Sequence, residues 1–298
     1  MAAAAAGQQP PLRPVPRPAD YKQRVAQQFD RRAPRYDCDN SYHPPLAARL
    51  VRLAALQPGE RVLDVATGTG LVALQAAREV GPAGSVLGID LSPAMVDKGK
   101  EKAQAAGLHN TKFVAGDAED CAFEPDSFDA ILCSSALPFF TDVPTALASW
   151  HSWLRPGGRV AFNAPKASAA GGVGSRAFSL FAEAAAQQGL LLCDPSSAFA
   201  EESAVRQMLA AAGYSACTLS VSQEVNCRAG QTPQQWAAAG WELCIAFPMA
   251  DLPSQLVPEQ LQRMRTWYLA AAEELAGRYA TARGIDEPYQ MLWVVAHK

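Results

Sequence analysis

No Cys-x-x-Cys pair occurs anywhere in this 298-residue chain, and its seven cysteines (Cys38, Cys121, Cys133, Cys193, Cys217, Cys227 and Cys244) are odd in number and scattered. That excludes a disulfide framework and a zinc-ligand set, and it fits a reducing compartment. No apolar run reaches the length a membrane span needs, and no signal-peptide core is visible. Charge of one sign is missing as well. Lys plus Arg number 26 against 29 Asp plus Glu, a net charge of −3, so the chain has no basic stripe with which to hold nucleic acid. What is present is 49% hydrophobic residues, enough for one large α/β domain with an elaboration or two smaller domains. A soluble, cytoplasmic protein is expected. Residues 1–18 hold no acid and are rich in Ala, Pro and Arg, so they are expected to be a disordered tail; a fragment of an organelle-import signal is the alternative.

The informative stretch is Val62-Leu63-Asp64-Val65-Ala66-Thr67-Gly68-Thr69-Gly70-Leu71-Val72-Ala73. Apolar residues lead into an acid, closely spaced glycines and a helix-like segment, which predicts strand, tight turn and helix start. Gly68 and Gly70 would let the backbone approach a ligand, and the helix start would offer it unpaired N–H groups. Ser85-Val86-Leu87-Gly88-Ile89-Asp90 predicts a second strand ending in a carboxylate about twenty residues past Gly70, placed to accept from ribose hydroxyls. A nucleoside-bearing cofactor follows. The spacing Gly68-x-Gly70-x-x-Ala73 also fits a dinucleotide fingerprint, so an NAD-dependent oxidoreductase stays open at this point.

Further stretches shift the balance. Phe113-Val114-Ala115-Gly116-Asp117-Ala118 ends a third strand in a polar turn. Phe128-Asp129-Ala130-Ile131-Leu132-Cys133 is a fourth strand, and Leu154-Arg155-Pro156-Gly157-Gly158 turns into a fifth through Phe162. With these in order, residues 59–165 resemble the core of class I S-adenosylmethionine-dependent methyltransferases. Asp64 to Gly70, and the earlier Phe29-Asp30-Arg31-Arg32-Ala33-Pro34-Arg35-Tyr36-Asp37, are similar to the ubiquinone/menaquinone-biosynthesis C-methyltransferase branch and its small-molecule relatives. The resemblance implies a Rossmann-like α/β sheet of seven strands with helices on both faces and the last strand antiparallel. Its cofactor is S-adenosyl-L-methionine and its acceptor a small organic molecule; the assembly is left open between a monomer and a homodimer. A non-catalytic module that keeps the cofactor fold is a third reading.

Residues 19–57 are expected to be N-terminal cap helices, with Val25 and Phe29 on one and Leu46, Leu50 and Leu53 on the buried face of the next. Residues 58–298 are expected to be the methyltransferase domain. Ser92-Pro93 reads as a helix start and Gly107 as its stop; Lys98, Lys100 and Lys102 between them read as a solvated surface. After Phe162 the pattern changes. Helical lid insertions are expected at about 168–200, around Phe178 and Phe181, and at about 230–285, around Trp236, Trp241, Met264 and Tyr268. Strands are expected from Ala216 to Val225 and from Met291 to Ala296. About sixty residues part them where the quinone enzymes have a short hairpin, so the quinone substrate does not transfer by resemblance.

The resemblance also assigns roles. Gly68, Thr69 and Gly70 pass the methionine portion, the carbonyl of Ala66 meets its ammonium, and Asp64 orients the loop or attracts that ammonium. Tyr36 reaches the methionine carboxylate, with a packed aromatic at a hinge as the alternative. Asp90 holds the ribose, Leu91 and Met95 flank the adenine, and Asp117 with the N–H of Ala118 reads its edge. Ser134 and Ser135, past the fourth strand, touch methionine or acceptor, or cap a loop. His43 and His151 are the general-base candidates, needed only for an acceptor that arrives protonated.

Overall fold

A computed structural model describes residues 12–37, 42–166, 173–192, 194, 196–246 and 252–298. The chain divides into two compact units. The larger holds 22–175, 195–227 and 286–298, and its frame is a sheet of β1 (Arg61–Val65), β2 (Ser85–Asp90), β3 (Thr111–Ala115), β4 (Phe128–Ser134), β5 (Leu154–Pro165), β6 (Ala216–Ala229) and β7 (Gly284–His297). Their spatial order is β3-β2-β1-β4-β5-β7-β6. The first five are mutually parallel, while β7 runs antiparallel to β5, with Trp293 opposite Asn163. The expected mixed sheet with an antiparallel last strand is what forms.

Period-two alternation explains why both faces are covered. Leu63 and Val65, Ile131 and Cys133, Val160 and Phe162, and Leu292 and Val294 belong to one core. Their neighbours Val62, Ala130, Leu132, Ala161, Met291 and Trp293 belong to the other. The first core is closed by α5 (Val143–Trp153) through Leu147 and Trp150 and by α7 (Glu202–Ala211) through Val205 and Leu209. The second is closed by α2 (His43–Ala54), α3 (Leu71–Val80) and α4 (Pro93–Ala105), and it contains Leu46 and Leu50 as their spacing predicts; Leu53 lies on the exposed side. Ser92 caps α4, its hydroxyl accepting the Met95 N–H at 3.1 Å, and Gly107 follows the helix at φ 64°. At the other end of α2, Arg159 binds Glu60 through both guanidinium arms at 2.9 and 2.7 Å and donates to the carbonyl of Ala55. That satisfies carbonyls the helix leaves unpaired.

The smaller unit gathers Arg176–Asp194, Arg228–Ile285, Tyr21 and the described residues before it. The stretches expected as two separate insertions thus belong together. α6 (Val173–Ala186), α8 (Pro233–Ala246) and α9 (Pro258–Gly277) share the buried rings of Phe181, Trp241 and Tyr268, whose centroids lie 5.5 to 6.0 Å apart. Gly240 lets α8 meet α9 closely: a Cβ there would stand 2.5 Å from the Tyr268 hydroxyl. The expected tail falls partly outside the described residues. Of the rest, Arg13–Pro14 pair in parallel with Leu190–Leu191 and Val15 is buried, so residues 12–18 depart from the disorder their composition suggests. Backbone hydrogen bonds from Arg13 and Val15 make the difference. No helix among the described residues is long and apolar enough to cross a membrane.

Candidate active site

In an open parallel sheet, ligands bind beyond the carboxyl ends of the strands, where helix starts and loops converge. The loop after β1 turns through Ala66 at φ 54°, Gly68 at 56° and Gly70 at 82°. Two side chains fix it. The buried Asp64 carboxylate accepts the Thr67 hydroxyl at 2.5 Å and the Ala73 N–H, in the first turn of α3, at 3.0 Å. Asp64 therefore orients the loop. Burial pushes its pKa up to about 7, against the pull of those two bonds. From β2, Asp90 accepts the Gly68 N–H at 2.8 Å through one oxygen and the Ser92 N–H at 2.9 Å through the other. A carboxylate keeps further lone pairs after two such bonds, so Asp90 can still accept from a diol. The loop after β3 joins them, since the Gly116 N–H reaches the Asp90 carbonyl at 2.8 Å.

A cavity is lined by Tyr36, His43, Asp64, Ala66, Gly68, Thr69 and Ser134, among others. Seven of the expected site residues meet there. Tyr36 stacks on His43 at 5.1 Å. Burial raises its hydroxyl to about 12, which keeps it a hydrogen-bond donor at neutral pH. Gly70 and Met95 are buried and do not line it; Gly70 packs against the ring of Phe113. Leu91, Asp117 and Ala118 lie on the loops after β2 and β3. The cavity measures only about 40 Å³, room for one or two waters.

A segment of the chain accounts for that closure. Lys22 pairs with Asp117 at 2.5 Å and Glu119 at 3.3 Å. Asp30 accepts the Ser92 hydroxyl at 2.5 Å and the Ala94 N–H at 3.1 Å. Asp37 accepts the Thr69 hydroxyl at 2.6 Å and pairs with Lys102 at 2.8 Å. Residues 22–37, which include most of α1 (Tyr21–Arg32), thus touch the loops after β3, β2 and β1 in the order in which those strands lie in the sheet. The sequence hides these partners: Lys22, Asp30 and Asp37 are ordinary polar residues of an amphipathic stretch. Lys102, expected as a surface lysine, is about a third exposed and pairs with Asp37 from that surface.

His151 stands apart from these residues. Its ring packs against Gly213 and edge-on to Tyr214 at 5.1 Å, and it does not line the cavity. Burial first, then the charge of Lys298, lowers its pKa. The reason is topological. A crossover helix runs back against its strands, so the last turn of α5 sits at their amino ends, where Lys298 meets the Gly158 carbonyl. A larger open groove of about 590 Å³ runs along β2, β3 and Phe123; it is mainly apolar and does not include the glycine loop.

The methyltransferase-domain family matches residues 62–158. The chain is 37% identical over 148 residues to the aklanonic acid methyltransferase of Streptomyces sp. (strain C5), covering 49% of this chain and 67% of that protein. It is 33% identical over 145 residues to the demethylmenaquinone methyltransferase of Listeria welshimeri, covering 47% and 61%. The fold is similar to that of the YcgJ protein of Bacillus subtilis, with a TM-score of 0.57 at 19% identity over 86% of this chain and 98% of that one. The cradle fits the cofactor such enzymes use: Gly68 has open space where a Cβ would stand, and a buried carboxylate lies behind the loop. Glycine loop, strand-end acids and sequence kinship agree, and the chain belongs to the S-adenosylmethionine-dependent methyltransferases.

Proposed function

We propose that this protein transfers a methyl group from S-adenosylmethionine to a small organic acceptor by in-line displacement, and that the strand-end residues divide the cofactor between them. The observation that carries this is the bond from Gly68 to Asp90, which joins the methionine-side loop to the ribose-side acid in one rigid cradle. When bound, the cofactor supplies an electrophilic sulfonium methyl. The chain supplies position. Holding two reactants aligned contributes about 7–11 kcal/mol of barrier reduction. Asp90 accepts from the ribose hydroxyls, Asp117 and the Ala118 N–H read the adenine edge, and Leu91 and Met95 flank it. The carbonyl of Ala66 holds the ammonium and the Tyr36 hydroxyl donates to the carboxylate. His43 serves as general base for an acceptor that arrives protonated; it borders the cavity beside Tyr36. Residues 22–37 part from the loops to admit a nucleoside and close again to exclude water. The net charge of −3 favours a small acceptor over nucleic acid.

Calorimetry with S-adenosylmethionine and S-adenosylhomocysteine tests the cradle, and micromolar binding of either is expected. Isotope-labelled methyl transfer into a metabolite extract, read by mass spectrometry, tests the reaction. A nicotinamide fluorescence titration is expected to show no binding, and a positive result would return the oxidoreductase reading.

A further inference from the structure

Asn163 and Ser135 stand at the carboxyl ends of β5 and β4. Asn163 lies opposite Ser134, the strand-end serine that lines the cavity with the glycine loop. Asn163 is fully buried. Its Oδ1 accepts the Ser135 N–H at 2.9 Å, and its backbone carbonyl accepts the same N–H at 3.1 Å. Because an N–H must meet an oxygen, the amide orientation is fixed and Nδ2 is the free arm. Among the described residues, neither Asn163 Nδ2 nor Ser135 Oγ has a hydrogen-bond partner, and both atoms are buried. Ser135 also sits at φ 58°, a left-handed conformation that costs a non-glycine residue about 1–2 kcal/mol. A buried amide with both N–H groups unspent costs stability unless something accepts from it.

We propose that Asn163 and Ser135 form the acceptor subsite and that they recognise an anionic oxygen (carboxylate, phenolate or enolate) on the molecule to be methylated. The inference rests on the methyltransferase reading above. The unspent groups decide the chemistry: the Asn163 oxygen already holds the Ser135 N–H, its Nδ2 carries only donors, and the Ser135 hydroxyl is able to add an O–H. A protonated amine would face the N–H groups of Asn163 and find an acceptor only in the Ser135 hydroxyl, so it is disfavoured. An oxyanion would take two hydrogen bonds of the stronger, charge-assisted kind.

The test follows the Asn163 side-chain amide by ¹⁵N-resolved NMR on protein saturated with S-adenosylhomocysteine, the signal being assigned by its loss in Asn163→Asp. Benzoate is the oxyanion probe and benzylamine the control. A saturable downfield shift of the Nδ2 protons with benzoate, absent with benzylamine, is the expected result. No shift with benzoate, or an equal shift with both, overturns the proposal. Failure of the underlying reading looks different, because S-adenosylhomocysteine would then not bind in the preceding calorimetric step. Asn163→Asp provides the second readout. Its carboxyl can still accept the Ser135 N–H, so cofactor affinity is expected within about threefold of wild type. When protonated it can donate, and when ionised it repels an oxyanion. Benzoate affinity in this variant should therefore rise at least tenfold as pH falls through the carboxyl's titration. An affinity that follows the wild-type pH profile assigns Asn163 a purely structural role.

Discussion

At the carboxyl ends of β1 and β2 the backbone passes through the left-handed region at Ala66, Gly68 and Gly70 and buries two carboxylates, Asp64 and Asp90. In the helical unit, Trp241, Tyr268 and Phe181 sit on regular helices and touch ring to ring. Both regions are well buried, but the first holds carboxylates whose burial opposes folding, whereas the second is built mainly of apolar rings. The contrast separates what a site requires from what a core requires. Strain and buried charge survive where a ligand compensates them, whereas apolar packing stabilises without one. The family match ends at residue 158, within the sheet unit, so the segments α6, α8 and α9 lie outside what this chain shares with that family model.

The sharpest test of that contrast is Trp241→Ala. Removing a buried indole is expected to destabilise the helical unit by about 3–5 kcal/mol, with the affinity for S-adenosylhomocysteine unchanged. Hydrogen exchange resolved by unit, with calorimetry beside it, reads both; loss of binding would break the separation. Next comes the pH profile. Asp64 is raised from an unfolded value near 4 to about 7, so between roughly pH 4 and 7 the native chain holds a proton that the unfolded chain has released. Unfolding free energy should fall as pH rises through that window, by on the order of 4 kcal/mol, and level off above it. Denaturant titrations at several pH values measure this, and Asp64→Asn should flatten the curve.

Asp90→Asn offers an oxygen to only one of the two N–H groups that the carboxylate now holds, and it removes an acceptor for the ribose. Cofactor affinity is expected to fall 10- to 100-fold, about 1.4–2.8 kcal/mol, without a change in the exchange rates of α8 and α9. Asp30→Ala loosens the segment over the loops. About 1 kcal/mol of stability should be lost with that capping interaction, and S-adenosylhomocysteine should dissociate faster in stopped flow. The smallest effect is a gain. Ala66→Gly relieves a left-handed alanine worth about 1–2 kcal/mol and restores to the unfolded chain about 0.4–1 kcal/mol of entropy, so a slightly raised melting temperature is expected.

Several readings were within reach of the sequence because the forces behind them are local. The alternation in Val62 to Val65, the glycines that follow, and the Ser92-Pro93 cap depend on neighbours a few residues away. The helical character of the stretch around Met264 and Tyr268, now α9, was legible for the same reason. The position of His151 away from the cavity was not legible, because proximity in sequence to β5 says nothing about which end of the sheet a crossover helix reaches. Lys22, Asp30 and Asp37 escaped notice because their partners lie 95, 62 and 32 residues away. Phe113, whose ring fills the space where Gly70, Gly88 and Gly99 lack side chains, read only as one more strand residue.

The sequence alone determined the alternating strand–helix frame, the glycine turn with its two acids, and the cofactor class, since each is encoded in short-range periodicity and in residues that few backbone conformations tolerate. Only the tertiary structure decided that residues 22–37 cross the loops, that α6, α8 and α9 share one core, and that Asn163 keeps an unspent amide beside Ser135. Those outcomes depend on which distant groups meet once the sheet has formed, and on which polar atoms are then left without a partner.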